Sequence, residues 1–398
     1  MKKPWIVAAV GVASLVAAAL ATGLPTASAA PASVKLHAAH VCKAVAAKGE
    51  ATCHALKMVN AKGAPPKLST PPPALTPAAL QDAYNLTGLK SGGRTVAIVD
   101  AYAYPNLERD LGVYRSTNHL AECTVANQCL KVLDQDGGTN LPAFDLGWAQ
   151  EQALDVDAVS AACPDCKIIV VQANSASFAD LGAAVNAAAN QPGVVAISNS
   201  YGGGDAADTT YGAPYNHPGI AITASTGDSG YKGASFPASS AYVTAVGGTS
   251  LVPDSSSRGW SETVWSGTGS GCSRYNVAVA PSSFNTGCTR RAMADVSAAS
   301  DPSRGGMAVY YPTSASSSTW GQFGGTSEAA PIIAAVYALS GHTQGYANAI
   351  PYANRGALFD VTSGKNGSCK PNPTQWCTAR SGWDGPTGLG TPNGVGAF

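Results

Sequence analysis

The chain has little charge for its length of 398 residues. Only 12% of its side chains are Asp, Glu, Lys or Arg, about half of what globular domains usually carry. The 24 acidic and 24 basic side chains cancel, which argues against a nucleic-acid binder, because such proteins present a basic surface. Disorder is also disfavoured, since it combines low hydrophobicity with high net charge. Glutamate is the scarcer acid, with only 6 residues among the 24.

Long apolar runs are absent after the first residues, so no transmembrane helix is predicted there. Residues 1–29 predict a secretory signal peptide, with Lys2 and Lys3 before an apolar run over 6–21 and a small-residue cleavage site at 27–29. The alternative, a membrane anchor, is disfavoured because the run is short and no basic stop-transfer sequence follows. We therefore expect a secreted, extracellular protein without a stable membrane anchor.

Ten cysteines fit disulfide bonds in an oxidising compartment. They fall into five sequence-local pairs, and we predict that neighbours pair, although spacing alone does not fix connectivity. The pairs are Cys42/Cys53, Cys123/Cys129, Cys163/Cys166, Cys272/Cys288 and Cys369/Cys377. The Cys163-Pro-Asp-Cys166 spacing also occurs in thioredoxin-like redox sites, but a structural staple is favoured here. Zinc is weakly supported, since no histidine stands at finger spacing.

The chain divides at a Pro-rich linker over residues 68–77. Residues 30–75, which include most of the linker, form a short segment in which Cys42 and Cys53 bracket a predicted helical turn. Residues 76–398 form the main domain. The main domain alternates apolar strands, predicted at 95–101, 167–173, 194–200, 219–226 and 242–248, with helices at 143–162, 178–190 and 327–339. This alternation predicts an α/β fold with a mostly parallel sheet between helices. The Ser/Gly-rich stretch 250–325 predicts long surface loops.

Ser327 is the first candidate for chemistry. It follows Gly324 and Gly325 at the start of a predicted apolar helix, where free N–H groups favour developing negative charge. Pro331 suits the first helical turn. From these residues alone, Ser327 is equally well read as a nucleophile or as an ordinary helix N-cap.

A serine nucleophile needs a base, and none of the six histidines stands in a motif typical of a Ser-His-Asp triad. These are His37, His40, His54, His119, His217 and His342. Carboxylates are the alternative. Glu151 and Asp155 are four residues apart and share one helix face, either solvated or buried with a shared proton. Asp228 ends the strand 219–226 at the sheet's carboxyl edge, where it is either a site residue or part of a glycine turn.

Together the motifs resemble the sedolisins, the secreted serine-carboxyl peptidases with a subtilisin-like three-layer fold. The resemblance spans about residues 76–398. It is carried by Thr76-Pro-Ala-Ala-Leu-Gln-Asp-Ala-Tyr84, Glu151-x-x-Leu-Asp155, Ser198-Asn-Ser-Tyr-Gly202, Ser225-Thr-Gly-Asp228, Phe236-Pro-Ala-Ser-Ser240, Ala245-Val-Gly-Gly-Thr249, Gly325-Thr-Ser327-x-x-x-Pro331 and Gly382-Trp-Asp384. Each motif is weak alone, but their order and number are specific.

The resemblance implies an endopeptidase that cleaves protein or peptide substrates in acid. Ser327 attacks the scissile carbonyl, Glu151 acts as general base, and Asp155 orients Glu151. Asp228 takes the oxyanion position, and it can donate a hydrogen bond there only when protonated. We expect a monomer without a nucleic-acid partner. A catalytically inactive relative that serves as a secreted binding protein is the competing hypothesis. A subtilisin-type or esterase-type hydrolase is disfavoured by the missing histidine and the missing Gly-x-Ser-x-Gly motif.

The resemblance also implies one Ca²⁺, held by two Asp side chains and several backbone carbonyls. The matching positions are Asp360, Val361, Arg380, Gly382 and Asp384, and Arg380 departs from the glycine that relatives often carry. A second departure is the N-terminal segment over 30–75, which is much shorter than the usual pro-domain. It is read either as a reduced inhibitory segment held by Cys42/Cys53 or as a spacer.

Overall fold

A computed structural model describes Met1 and residues 35–43, 47–66, 68–341 and 344–398. Apart from Met1, the predicted signal peptide lies outside these described residues. Residues Leu36–Phe398 form one compact unit, which contains all the elements below. None of the helices within the described ranges combines the length and apolar character that a bilayer crossing requires.

The elements are numbered in chain order. The strands are β1 (His37–His40), β2 (Thr52–Cys53), β3 (Leu56–Val59), β4 (Thr95–Ala101), β5 (Leu130–Asp134), β6 (Lys167–Ala173), β7 (Val194–Asn199), β8 (Tyr201–Gly204), β9 (Ala221–Ser225), β10 (Ser235–Phe236), β11 (Thr244–Pro253), β12 (Trp260–Val264), β13 (Gly271–Cys272), β14 (Ala292–Met293), β15 (Val296–Ala299), β16 (Met307–Pro312), β17 (Ser318–Gly324), β18 (Leu358–Phe359) and β19 (Thr391–Pro392). The α-helices are α1 (Pro77–Ala83), α2 (Leu107–Thr117), α3 (Leu146–Ala162), α4 (Phe178–Ala189), α5 (Asp208–Tyr211), α6 (Thr326–Ser340) and α7 (Ile350–Ala353).

An eight-stranded sheet forms the middle layer, in the order β12-β11-β9-β7-β4-β6-β5 with β15 also paired to β11. Its strands are parallel except β12, which runs antiparallel to β11. Helices cover both faces: Val96 and Ile98 of β4 point into the core that contains α3 and α6, while Ala97 and Val99 point into the core beneath α4. The predicted three-layer α/β fold is confirmed, and burial on both faces explains why these strands are almost wholly apolar.

The strands and helices predicted for the sheet and its covering layers lie close to those of the structure. The prediction of long loops over 250–325 is wrong. That stretch contains β12, the fully buried β15, and the antiparallel pair β16 and β17. Residues 296–299 read Val-Ser-Ala-Ala, and small side chains there pack closely against α6. Such a strand carries little apolar signal in the sequence.

The N-terminal segment joins the main domain through strands. β1 pairs with β3, β3 pairs with β17, and β2 pairs with β8. The helical turn predicted between Cys42 and Cys53 is not found in the described part of that stretch, which forms turns and a strand. All five predicted disulfides are present, including the staple Cys163–Cys166.

Candidate active site

Ser327 lies in the first turn of α6, fully buried, with its Oγ 3.3 Å from the Ser200 carbonyl oxygen. The helix begins after Gly325, whose φ of 102° suits glycine. Gly325 is the N-cap residue, so the N-cap reading of Ser327 is wrong. Pro331 lies beyond the first turn, inside the helix. Its missing N–H leaves the Ser327 carbonyl without a helical donor, and Ser200 Oγ lies 3.3 Å from this carbonyl oxygen.

Glu151 and Asp155 are fully buried on α3, so the solvated-face reading is wrong. Glu151 Oε2 accepts from the Ala55 N–H at 2.7 Å, and Asp155 Oδ1 accepts from Ser200 Oγ at 2.8 Å. Within the described part of the chain, Glu151 Oε1 and Asp155 Oδ2 have no hydrogen-bond partner. One proton shared between the two carboxyls would satisfy both atoms.

Burial raises the pKa of both carboxyls well above the usual range. The negative charge of Asp155 raises the pKa of Glu151 further, while hydrogen bonds from Ser327 and the Ala55 N–H lower it. For Asp155, burial acts with the charge of Asp100. Two buried acids that repel each other do not both ionise easily, so this pair holds a proton at pH values where exposed acids have lost theirs.

Asp100 is a site residue that the sequence reasoning missed. It is fully buried near the end of β4, and neither carboxyl oxygen has a partner among the described residues. Burial and the charge of Glu151 raise its pKa well above the usual range. Asp100 could have been found from its position near the carboxyl end of a predicted strand, because sites in parallel sheets form at the carboxyl ends of the strands.

Asp228 follows β9 and contacts Thr326, the residue before Ser327. Its Oδ1 accepts from the Thr326 N–H and from Thr326 Oγ1, both at 2.8 Å. Its Oδ2 is buried without a partner in the described residues, and a Cβ at Gly325 would overlap it. Burial raises the pKa of Asp228 to about 7, although the two bonds from Thr326 oppose the rise. Below that pH the carboxyl is protonated and can donate.

His54 is the second residue that was missed at this site. Its ring is buried, and Nδ1 lies 2.8 Å from Ser225 Oγ. Its backbone N–H donates to the Ser200 carbonyl at 3.1 Å. Ser327 hydrogen-bonds no histidine within the described ranges, as expected from the absence of a Ser-His-Asp motif. No local sequence motif predicts that His54 lies at this site. It lies there because β2 pairs with β8, which is distant in the sequence.

The residues predicted to hold calcium lie on two adjoining loops. Asp360 Oδ2 accepts from the Gly382 N–H at 2.8 Å, and Asp384 Oδ2 accepts from the Arg380 N–H at 3.2 Å. Burial raises the pKa of Asp384 to about 7, with a contribution from the charge of Asp360. The Arg380 guanidinium donates to the carbonyls of Trp383 and Asn285. It therefore does not neutralise the two carboxyls.

Known proteins resemble the chain in sequence and in structure. The subtilase family model matches residues 144–361. Kumamolisin of Bacillus sp. (strain MN-32) is 32% identical over 370 residues, which cover 82% of this chain and 63% of kumamolisin. Tripeptidyl-peptidase sed1 of Aspergillus fumigatus is 41% identical over 78 residues, or 18% of this chain and 12% of that protein. The structure of Pseudomonas sedolisin, a serine-carboxyl proteinase, superposes with a TM-score of 0.66 at 24% identity, covering 82% of this chain and 96% of that one.

Proposed function

Because the chain belongs to the subtilase family and resembles kumamolisin in sequence and Pseudomonas sedolisin in fold, we propose that it is a sedolisin-type serine-carboxyl endopeptidase that hydrolyses proteins in acid. One observation carries the proposal: Glu151 from α3 is hydrogen-bonded by Ser327, Asp228 is hydrogen-bonded by the adjacent Thr326, and each carboxyl has a buried oxygen without a partner in the described residues. A base beside the nucleophile and a neutral donor beyond it are what acyl transfer requires.

The reaction follows from these positions. Ser327 Oγ attacks the substrate carbonyl while Glu151 takes its proton. Asp155, which accepts a bond from Ser200 Oγ, orients Glu151 through a shared proton. The protonated Asp228 donates to the oxyanion. Glu151 then returns the proton to the leaving amine, and water hydrolyses the acyl-enzyme. Secretion belongs to the same proposal and is supported by the predicted signal peptide and five disulfides.

A calcium ion at the C-terminal loops is also proposed. Asp360 and Asp384 offer carboxylate oxygens without a cationic side chain between them, and Val361, Arg380 and Gly382 would add backbone carbonyls. Among the described residues, no three His, Cys, Asp or Glu side chains gather into a metal cluster. Calcium accepts carbonyls in a shell of six to eight oxygens, so this donor set fits it.

The activity is tested by casein digestion at about pH 4, in the acid range implied by carboxyl pKa values. Ser327→Ala removes the nucleophile, and we expect a loss of at least about 1,000-fold. Ser255→Ala changes an exposed serine and should leave the rate unchanged. If wild-type protein and Ser327→Ala are both folded and equally inactive, the chain is an inactive relative and the binding-protein hypothesis replaces this one.

A further inference from the structure

A residue with a strained backbone stands beside the buried carboxyls. Tyr102 directly follows β4 and has a φ of 63°, in the left-handed region that bulky side chains rarely adopt and that surrounding contacts must hold in place. Its N–H donates to the Ala173 carbonyl at 2.8 Å. Its own carbonyl accepts at 3.0 Å from Nε2 of Gln152, the neighbour of Glu151 on α3. The conformation of Tyr102 is therefore tied to the helix that carries the proposed general base.

Two buried glutamines, which we call the amide clamp, hold this conformation. Gln152 Nε2 donates to the carbonyls of both Ala101 and Tyr102, at 3.3 and 3.0 Å. Gln152 Oε1 accepts from Gln172 Nε2 of β6 at 2.8 Å. Both glutamine residues are fully buried, in an interior where a polar atom without a partner is costly. The two amides are therefore constrained by the bonds that they make.

The direction of this hydrogen-bond chain is fixed by the backbone carbonyls at one end. Carbonyls only accept, so the Gln152 amide must turn its nitrogen to them and its oxygen to Gln172. Gln172 must then turn its nitrogen to Gln152, which directs Gln172 Oε1 away from Gln152. That oxygen has no donor among the described residues. The chain therefore needs a further donor at the Gln172 end.

Asp100 supplies this donor when it is protonated. The register of β4 and β6 places Asp100 opposite Gln172. Both side chains face α3, because the residues two positions earlier on each strand, Ile98 and Val170, point into the core that contains α3. Neither oxygen of the buried Asp100 carboxyl has a partner within the described ranges. One proton on Asp100 would thus continue the chain from the carboxyl to the backbone carbonyls.

The groups that face Asp100 favour its protonated form. Three titratable side chains interact electrostatically with this carboxyl. They are Glu151 and Asp155 on α3 and Tyr201 on β8. All three are neutral or negative, and burial together with the charge of Glu151 raises the pKa of Asp100 well above its usual range. In acid the donor at the end of the chain is therefore present.

Tyr102 and Trp148 line a cavity of about 310 Å³ beside β8. The Trp148 ring centroid lies 6.5 Å from that of Tyr102 and 6.2 Å from that of Tyr201, the first residue of β8. Thr52 also lines the cavity and pairs with Gly202 of β8. A peptide substrate that pairs with β8 in place of β2 therefore brings one of its side chains to this cavity. The two aromatic rings suit an apolar side chain.

We propose that the amide clamp positions Tyr102 so that its ring and the Trp148 ring bind an apolar side chain of the substrate. This inference rests on the proposed peptidase activity. Gln152 and Gln172 are positioning residues, and Asp100 contributes the proton that keeps both amides in one orientation. Without the clamp, Tyr102 leaves the left-handed region, because nothing then offsets its strain, and its ring leaves the cavity wall.

Peptide hydrolysis by the secreted enzyme at about pH 4, within the carboxyl range, tests the contact with the substrate. The peptides carry Leu or Ala at each position before the scissile bond in turn. We expect one position at which Leu lowers KM about tenfold relative to Ala, as for a buried apolar side chain. Tyr102→Gly removes the ring at a backbone conformation that glycine adopts freely, and should abolish this preference. A preference that persists in Tyr102→Gly overturns the contact.

Substitutions of Gln172 test the clamp. Gln172→Met keeps the side-chain volume without the amide, and should raise KM for the preferred Leu peptide about tenfold. Gln172→Glu, when protonated, can donate to Gln152 and accept from Asp100, and should restore the wild-type KM. A packing role alone predicts the reverse, with Met tolerated and Glu not. Gln150→Met is the matched control, because Gln150 is a buried glutamine of α3 that donates to the Pro312 carbonyl instead. It should keep the preference.

A second variant covers the case in which Gln172→Met alone does not fold. In Tyr102→Gly the strain is absent, so adding Gln172→Met should change KM no further. An additional rise in KM in this double variant would show that Gln172 acts on the substrate by a route other than Tyr102, and would overturn the clamp.

Hydrogen exchange over residues 101–104 reads the clamp without peptidase activity. In the Ser327→Ala protein at about pH 4, adding Gln172→Met should speed this exchange at least about tenfold, whereas Gln150→Met should not. Equal exchange in both overturns the clamp. An active enzyme without a Tyr102-dependent preference overturns the substrate contact alone. If the wild type cleaves no peptide, the proposed peptidase function is overturned together with that contact, and the exchange result still decides the clamp.

Discussion

Buried carboxyls set the chemistry at the scale of single residues. Burial raises the pKa of each of the acids around the nucleophile, which are Asp100, Glu151, Asp155 and Asp228. No arginine or lysine pairs with any of them in the described ranges, since the ion pairs there involve Asp110, Glu262 and Asp295. Acids without counter-charges are most stable when they hold protons. The site is therefore built to work where carboxyl groups are partly protonated.

Asp228→Asn should extend activity toward alkaline pH. The raised pKa of about 7 means that Asp228 is a donor below that pH and loses the donor proton above it. Wild-type kcat/KM should therefore fall about tenfold per pH unit above pH 7. An amide donates at any pH, so the kcat/KM of the variant should begin to fall at a higher pH than that of the wild type. The maximal kcat/KM of the variant should be lower. A peptide assay from pH 3 to 9 measures this, with the exposed Asp136→Asn as control. Identical profiles for the variant and the wild type would show that another group limits the reaction.

Four of the residues around the site could be picked out from the sequence, because each stands in a short motif at a helix start, on a helix face or at a strand end. They are Ser327, Glu151, Asp155 and Asp228. The structure brings Ser327, Glu151 and Asp228 together through a helix start, a helix face and a strand end. His54 could not be found this way. It reaches the site only because β2 pairs with β8, which lies about 150 residues later, and two residues of strand carry no periodic signal.

At the scale of elements, the long buried strands and helices were predictable and the short ones were not. β4 and β6 have the predicted bounds because seven consecutive residues pack between two helical layers and are almost all apolar. β15 is held by backbone pairing with β11 and by packing against α6, with Ser and Ala where larger apolar residues would have revealed it. Its sequence resembles that of a loop because small side chains fit a crowded interface.

The position of His54 makes the binding of β2 depend on pH. Burial and the charge of the neighbouring His40 lower the pKa of His54 to about 3, while the bond with Ser225 opposes the shift. The buried ring stays neutral, whereas the ring in an unfolded chain takes up a proton below about pH 6.5. From pH 6.5 down to about 3, each pH unit therefore weakens the packing of His54 in the cleft by about 1.4 kcal/mol.

Comparison with His54→Gln isolates this effect. Protonation of Asp228 and Glu151 stabilises the folded chain in acid, but both proteins share this effect. We expect the free energy of unfolding of the wild type, relative to that of the variant, to fall by about 1.4 kcal/mol per pH unit below pH 6.5. Denaturant unfolding of both proteins from pH 4 to 7 gives this difference. A difference that does not change with pH would show that the His54 ring is not buried in the folded chain.

At the scale of the whole molecule, few charges and many cross-links fit the proposed activity in acid. As carboxylates take up protons, the 24 cationic side chains remain, and their mutual repulsion destabilises a compact chain. A low number of charged side chains limits this increase in repulsion. Five disulfides constrain the unfolded chain at every pH. One buried ion pair, Arg291 with Asp295, is supported by bonds from Arg291 to backbone carbonyls and from Tyr352 to Asp295.

The C-terminal loops should depend on calcium for stability. Without a cation, Asp360 and Asp384 face each other with only backbone and hydroxyl donors near them. Bound calcium at 100 times its Kd would add about 2.7 kcal/mol, which we expect to raise the melting temperature by about 5 °C. Calorimetry of wild type in EDTA and in excess calcium measures the shift. Asp384→Asn should abolish most of it, whereas the control Asp136→Asn should keep it. Equal melting temperatures in EDTA and calcium would contradict the site, since any ion bound only to the folded chain must stabilise it.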